Sequence, residues 1–339
     1  MAPATETRQP SPELLFQTLN AYQRTAALKA AIELEIFTRI AEGADTAATL
    51  AQKCNAAERG VRILCDFLVV IGFLTKAGNR YGLTPDSATF LDRRSPMYLG
   101  ATAGFMAAPA IQENFRDLAA AVRKGGSVAD QTAIEAEHPM WIEFARSMAP
   151  LTAMPAQLIA TMLDADSGKK WKVLDIAAGH GMFGITLAKR NPNAEIVAVD
   201  WPNVLEVAKE NAQAAGVANR YRTLPGSAFD VEFGTGYDVA LLTNILHHFD
   251  MASSETLLHK VHSALAPSGR AVALEFVPNE DRVSPPIAAA FSLTMLGNTP
   301  GGDAYTFSEY QQMLRNSGFS RSELRQLPPT FEQIVIGYK

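Results

Sequence analysis

The chain has 339 residues, of which 47% are apolar and 19% charged, with a formal net charge of −5. That length points to two domains, and that apolar fraction excludes extended disorder. The acidic balance excludes a protein whose main task is gripping phosphate backbones.

The first ten residues carry one arginine and no apolar run, so no secretory leader is read there. The most apolar stretch without a charge, 98–111, falls short of the roughly 20 residues a spanning helix needs. No membrane anchor is expected. Cys54 and Cys65 sit on neighbouring helical segments and read as reduced packing residues of a cytoplasmic protein.

Helices dominate the first part of the chain. Ser11-Pro12 offers a hydroxyl cap followed by proline at the first helical position. Leu14, Thr18, Ala21, Thr25, Leu28 and Ile32 then recur at steps of three and four, and Leu15, Leu19, Tyr22 and Ala26 widen the seam. So broad an apolar face on a terminal helix needs a partner, either its own domain or a second subunit. Residues 46–53 and 58–71 read as two further helices, and 72–74 and 81–83 flank a turn at Gly78-Asn79. This is a winged helix-turn-helix layout. Its second helix offers Arg59 and Arg62 to a phosphate, with Asp66 opposing them. Backbone contacts need cations, so the module reads as packing rather than as a DNA reader.

Residues 92–165 are again helical. Phe105, Met106, Phe115, Phe144 and Met148 read mostly as core, a few of them as walls of an apolar pocket. The polar segment 164–170 is taken as a boundary. The expected domains are 1–100, a connection 101–165, and 166–339.

From Trp171 short apolar runs alternate with amphipathic helices, the signature of a doubly wound sheet. Strands are expected at 172–176, 195–199, 221–224, 237–242, 270–276, 322–327 and 334–338. Pro202-Asn203 opens a helix, and Thr306-Phe307-Ser308-Glu309 is a capping box. In such a sheet, ligands bind beyond the carboxyl ends of the strands.

The first strand runs into Asp175-Ile176-Ala177-Ala178-Gly179-His180-Gly181. Small residues let the backbone approach a ligand, and the next helix offers free N–H groups. Gly179, Gly181 and Gly184 also spell GxGxxG, which keeps a nicotinamide-dependent oxidoreductase in view. Asp175 weighs against it, because a carboxylate at the mouth of the loop repels a pyrophosphate and suits a cationic, phosphate-free nucleoside. Asp200, ending the second strand, suits two ribose hydroxyls, or alternatively caps the following helix. Trp201 is placed along an adenine edge, and 225–229 as its further wall. His247 and His248 lie beyond the fourth strand. Imidazole takes a proton near neutrality, whereas a phenol holds its own until about pH 10, so proton removal should accompany transfer. Glu275, ending the fifth strand, is placed to orient such a ring. His259 and His262 read as surface residues, and no metal cluster is expected. Residues 295–305 read as a loop over the pocket.

Taken together, these features resemble the class I O-methyltransferases of the caffeic acid and acetylserotonin type, especially bacterial ones. The likeness spans nearly the whole chain and includes Asn298-Thr299-Pro300-Gly301-Gly302 before the Thr306 helix. The resemblance implies an α/β fold: a Rossmann-like domain with a seven-stranded, mostly parallel sheet, behind an all-α, winged-helix-like dimerisation domain. It implies S-adenosyl-L-methionine as cofactor, held by Asp175, Ala177, Gly179, Asp200, Trp201, Ser227, Ala228, Asn244, Met148 and Thr152. It places the catalytic base on His247, which follows an Ile-Leu pair, and its supporting carboxylate on Glu275. Phe105, Phe144, His248, Met295, Asn298 and Tyr305 are the expected acceptor pocket.

The chain departs from that pattern in four places. Ala177 and Ala178 replace loop glycines, Ser227 and Ala228 an acidic–methionine pair, and Thr243 a lysine. Ala304 stands where a second carboxylate flanks the base, with Asp303 beside it. The expectation is an O-methyltransferase acting on a small aromatic or similarly flat acceptor, a homodimer without nucleic-acid or membrane partners. Methylation of carbon, nitrogen or carboxylate, non-methylating use of the cofactor, and a winged-helix regulator are the alternatives.

Overall fold

A computed structural model describes residues 10–129 and 140–339. The chain divides into two compact units, one up to Ala103 and one from Gly104 to Lys339.

The first unit carries α1 (Glu13–Leu19), α2 (Tyr22–Glu33), α3 (Ile36–Ala41), α4 (Ala47–Lys53), α5 (Glu58–Val70), β1 (Leu74–Ala77), β2 (Arg80–Leu83) and α6 (Pro85–Phe90). β1 and β2 form the antiparallel wing behind α4 and α5. Thr46 caps α4 through the Thr49 amide. The small core gathers Ile36, Phe37, Leu50, Val61, Cys65, Leu68 and Tyr81. Asp66 takes Arg62 and Lys76 as ion pairs and accepts from the Tyr81 hydroxyl, so the expected opposition of Asp66 to Arg62 is a direct contact. The expected single terminal helix is broken at Asn20-Ala21, where Asn20 turns its side chain back onto the Phe16 carbonyl. Ser11 accepts from the Glu13 amide, while the capping position itself is Pro12. The apolar face of α1 is open: Leu14, Leu15, Phe16 and Leu19, with Tyr22, are 58–69% exposed.

The second unit adds α7 (Thr102–Met106, which begins at the end of the first unit), α8 (Pro109–Glu113), α9 (Leu118–Lys124), α10 (Met140–Met162), β3 (Trp171–Ile176), α11 (Met182–Arg190), β4 (Ala194–Asp200), α12 (Pro202–Ala214), β5 (Tyr221–Pro225), β6 (Tyr237–Thr243), α13 (Met251–Ala264), β7 (Leu265–Glu275), α14 (Pro286–Asn298), α15 (Phe307–Asn316), β8 (Arg321–Gln326) and β9 (Gln333–Tyr338). The seven strands lie in the order β5-β4-β3-β6-β7-β9-β8, with β9 antiparallel to both neighbours and the rest parallel.

Alternation along the central strands feeds two cores, as expected of a sheet covered on both faces. Val173, Ile196, Val239 and Leu241 pack under α10, α11 and α12. Leu174, Ile176, Ala240 and Leu242 pack under α13 and α15. β7 is longer than its apolar run suggested, starting at Leu265 and crossing a register irregularity near Tyr237. The expected loop 295–305 is shorter: Met295 to Asn298 are the last turn of α14, and the chain leaves the helix at Thr299. His262 is half-buried against the Phe319 ring rather than on the surface.

Candidate active site

Parallel pairing brings the carboxyl ends of β3, β4, β6 and β7 to one rim. Asp175 is level with Ala198 and Leu241, and Thr243 with Leu274. Asp200, Glu275 and the segment after Thr243 therefore end up beside the loop that follows β3.

That loop turns sharply. Ala177, Gly179 and Gly181 all have left-handed φ angles of 53°, 57° and 75°. Ala178 N–H bonds the Val199 carbonyl, and Gly179 N–H donates to Asp200 Oδ2 at 2.8 Å. Asp200 Oδ1 accepts from Trp201 N–H at 2.7 Å, and burial pushes the carboxyl up to about 6. The helix cap after β4 is Trp201, so Asp200 holds the loop instead of capping α12. Gly181 has no room for a side chain: a Cβ there would stand 2.6 Å from the Tyr221 hydroxyl. At Gly179 a Cβ would meet nothing nearer than 4.0 Å, so the loop leaves an open crevice at that point.

Asp175 is buried near the end of β3. Its carboxyl is fully buried, accepting from Gly184 N–H at 3.1 Å, and burial pushes it up to about 8. The physical reason is the period of two. Asp175 shares a strand face with Val173, which lies beneath α11. Oδ2 thereby ties the strand to the first turn of α11, while Oδ1 is buried without a hydrogen-bond partner. Gly184 has the same explanation, since a Cβ there would stand 2.7 Å from Asp175 Oδ2 and 2.8 Å from Ile196. Its place in the GxGxxG pattern is helix packing. Ser227 Oγ accepts from the Phe229 amide, and Ala228 packs with Phe229 on the lower core.

After β6 the chain takes a left-handed turn at Asn244, whose N–H donates to the Leu274 carbonyl, and enters the 3-10 turn Leu246–His248. Glu275, fully buried, organises this turn. Its Oε1 accepts from the Ile245 and Leu246 amides at 3.1 and 2.9 Å, and its Oε2 lies 2.5 Å from His247 Nδ1. Two amides and an imidazole N–H are the donors an ionised carboxylate needs when buried. His247 then keeps Nδ1–H toward Glu275 and Nε2 as the acceptor.

Around this pair runs a series of ring contacts. Phe105 meets Phe144 at 5.1 Å, Phe144 meets Trp141 at 5.6 Å, and Trp141 meets His248 at 5.5 Å. His248 lies 4.4 Å from His247, which meets Phe291 at 4.9 Å, and Phe291 stacks on Phe276 at 4.1 Å. Trp141 and Ile142 also pack with Trp201 and Val204, which joins this wall to the end of β4. Burial and the neighbouring His247 drive the His248 imidazole well below its ordinary value, which keeps it neutral.

Three expected pocket residues are buried in the structure. Met295 and Asn298 are buried in the last turn of α14, where Asn298 exchanges amide bonds with Asn114 and the Thr294 carbonyl. Tyr305 donates to the Phe249 carbonyl at 2.6 Å and belongs to the lower core. The Asn-Thr-Pro-Gly-Gly segment nonetheless bears on the site, because Gly302 packs without space for a Cβ on the carbonyl of His247. On α10, Met148 and Thr152 are half-buried, and the Thr152 hydroxyl donates to the Ala149 carbonyl.

Sequence reasoning passed over Trp141, Phe291 and Glu332. Phe291 lies one helical stretch before the glycine pair, and Trp141 in the same apolar run as Phe144. Glu332 has no local signal: β9 returns antiparallel beside β7 with Gln333 opposite Glu275, which brings Glu332 to the end of that strand pair. Asp303, the carboxylate beside Ala304, pairs instead with Arg282. Among the described residues no group of histidine, cysteine and carboxylate side chains has metal-site geometry.

The crevice suits an adenosyl ligand. The small residues around Gly179 leave it open, and each Asp200 oxygen, holding one amide, retains a lone pair for a ribose hydroxyl.

A family model for an O-methyltransferase domain matches residues 115–320, and one for an O-methyltransferase dimerisation domain matches residues 16–93. The chain belongs to the O-methyltransferase family. This O-methyltransferase uses S-adenosylmethionine, the family's methyl donor. It is 54% identical to a Nostoc punctiforme protein of known crystal structure assigned to the O-methyltransferases, with a TM-score of 0.95 over 98% of this chain and 100% of that one. It is 28% identical to the 3-hydroxy-5-methyl-1-naphthoate 3-O-methyltransferase of Streptomyces sahachiroi, over 97% of this chain and 95% of the relative. Human N-acetylserotonin methyltransferase, solved with S-adenosylmethionine, shares the fold at 22% identity and a TM-score of 0.82, over 99% of each chain. The seven-stranded sheet is thus the class I methyltransferase sheet, and the helical unit before it the dimerisation domain. Among the described residues no helix is long and apolar enough to cross a membrane.

Proposed function

We propose that this O-methyltransferase acts on a hydroxyl of a flat, multi-ring or single-ring aromatic acceptor, with His247 as general base. The single observation that carries the reading is the His247–Glu275 pair, 2.5 Å apart and buried, set in an aromatic wall. When bound, S-adenosylmethionine supplies an electrophilic methyl group. Asp200, Trp201 and the loop 177–181 hold its adenosine end, and Asp175 keeps that loop in shape from beneath. Asn244, Ser227, Ala228, Met148 and Thr152 remain candidate contacts on the same side.

On the acceptor side, Phe105, Phe144, Trp141 and Phe291 offer ring faces and edges that favour a planar aromatic partner. The Streptomyces relative, named for a hydroxynaphthoate, is consistent with that class. His247 Nε2 takes the hydroxyl proton as the oxygen attacks, and Glu275 stabilises the imidazolium that forms. Exclusion of water and fixed orientation of the hydroxyl contribute much of the acceleration, of the order of 7–11 kcal/mol for well-oriented groups. Two copies pair through the N-terminal unit, in the cytoplasm.

The test is His247→Ala, assayed with a labelled methyl donor against a panel of naphthols and phenols. Methylation should fall by roughly 10²- to 10⁴-fold, while S-adenosylhomocysteine binds as in wild type by calorimetry. Wild-type turnover in the variant would remove His247 from the reaction.

A further inference from the structure

We infer that Lys260 is a positioning residue for the adenine end of the cofactor, holding the loop after β5 in place from α13. This rests on the crevice beside Asp200 receiving the adenosyl group, which Asp200→Asn tests separately.

The loop starts level with Asp200. Pro225 pairs with Asp200 across β5 and β4, and Gly226 N–H donates to the Asp200 carbonyl at 2.9 Å. Gly226 turns with a φ of 133°, and a Cβ there would stand 2.7 Å from Val231. Ser227 then closes the turn. Its carbonyl accepts from the Asp230 and Val231 amides, and its hydroxyl accepts from the Phe229 amide. The Ala228 and Phe229 carbonyls at the tip look outside the loop for a donor, as backbone acceptors away from water must.

Lys260 supplies it. Its Nζ donates to the Phe229 carbonyl at 2.8 Å and to the Ala228 carbonyl at 3.2 Å, and stands 4.6 Å from the centre of the Phe233 ring. Three residues of one loop converge on one ammonium group. A lysine on a helix usually carries its head group into water, whereas Lys260 is half-buried and spends its donors on this backbone.

Two features make the clamp a matter of position rather than of packing alone. Donors with a full charge make the stronger hydrogen bonds, and this one comes from the helix that follows the His247 turn. The loop is thereby set relative to the catalytic turn as well as to Asp200. The loop also offers the crevice only small side chains, Ser227 and Ala228, so the width left for a purine depends on where the backbone lies. A separate anchor, the Phe229 ring edge-on to Phe249 at 4.9 Å, keeps the loop folded when the lysine is replaced.

The experiment compares wild type with Lys260→Met, which keeps the stem and loses the donors, with Lys260→Arg and with Asp200→Asn. Melting curves report that each is folded. By calorimetry Lys260→Met should bind S-adenosylhomocysteine about tenfold more weakly. Its KM for the methyl donor should rise to match, while kcat at saturating donor stays within about twofold of wild type. Lys260→Arg, which can donate to both carbonyls, should recover most of the affinity. Wild-type affinity in Lys260→Met alongside a loss in Asp200→Asn overturns the role of Lys260 and leaves the crevice in place. If neither variant loses affinity, the crevice does not hold the adenosyl group and Lys260 has nothing to position. Equal losses in Lys260→Met and Lys260→Arg, or a fall in kcat with KM unchanged, would overturn the role as well.

Discussion

His247 has two ring nitrogens, and everything proposed for the chemistry depends on which of them carries the proton. Glu275 decides this. Its carboxylate can only accept, so Nδ1 must donate and Nε2 is left with a lone pair. Replacement of Glu275 by glutamine separates shape from charge. The amide oxygen can still take the Ile245 and Leu246 N–H groups, but its NH₂ would then face Nδ1 and force the other tautomer, with Nε2–H toward the acceptor. Glu275→Gln should therefore lower kcat by about 10³- to 10⁴-fold while S-adenosylhomocysteine affinity holds. Activity within about tenfold of wild type would mean that tautomer control is not what Glu275 does. At Asp175 a carboxylate just before a glycine-rich loop reads as a ligand contact, and the structure adds that it is buried and takes the Gly184 amide of the next helix.

At the scale of elements, the sequence made legible whatever a single run of residues decides. Asp200 and Glu275 each end an apolar strand, so their place on the rim follows from the strand itself, and so does that of the His247-His248 turn after β6. What was not legible depends on how distant segments are brought together. Gln333 comes to lie opposite Glu275 because β9 runs backwards between β7 and β8. Trp141 meets His248 because α10 packs on α12. The helix α1 lies between these cases. Its apolar spacing was visible, but only the structure shows that the first unit leaves Leu14, Leu15, Phe16 and Leu19 uncovered. An exposed row of that size, running from Phe16 on into the stretch matched by a dimerisation-domain model, predicts self-association. The protein should sediment as a dimer at micromolar concentration, and Phe16→Glu with Leu19→Glu should shift it toward monomer without loss of helix content. A wild-type monomer under those conditions would remove the homodimer.

Over the whole molecule, the rim that builds the site also sets how stability responds to pH. Asp175, Glu332 and Asp200 are held by burial at about 8, 7 and 6, all above the ordinary carboxyl range. His180, buried with its Nδ1 accepting from Met182 N–H, is held down to about 4. For each of the three carboxyls the folded state keeps a proton that the unfolded chain has already lost above pH 4. Each therefore lowers stability as pH rises from about 4 through its folded value, and the loss is complete above it. His180 acts in the other direction, because below about 6.5 the unfolded chain binds a proton that the folded ring refuses until about 4. Between about pH 4 and 6 the three carboxyls outweigh the one imidazole, so stability should be highest near about pH 4 and decline toward pH 8, by up to about 1.4 kcal/mol per pH unit for each proton by which the two states differ. Asp175 is the deepest of the carboxyls and the last to lose its proton, so Asp175→Asn tests the account. The variant should melt closer to wild type at pH 5.5 than at pH 8.5, where removal of the buried acid relieves the penalty and raises its melting temperature relative to wild type. Melting curves of the two proteins that keep the same separation from pH 5.5 to 8.5 would show that Asp175 does not hold its proton in the folded chain.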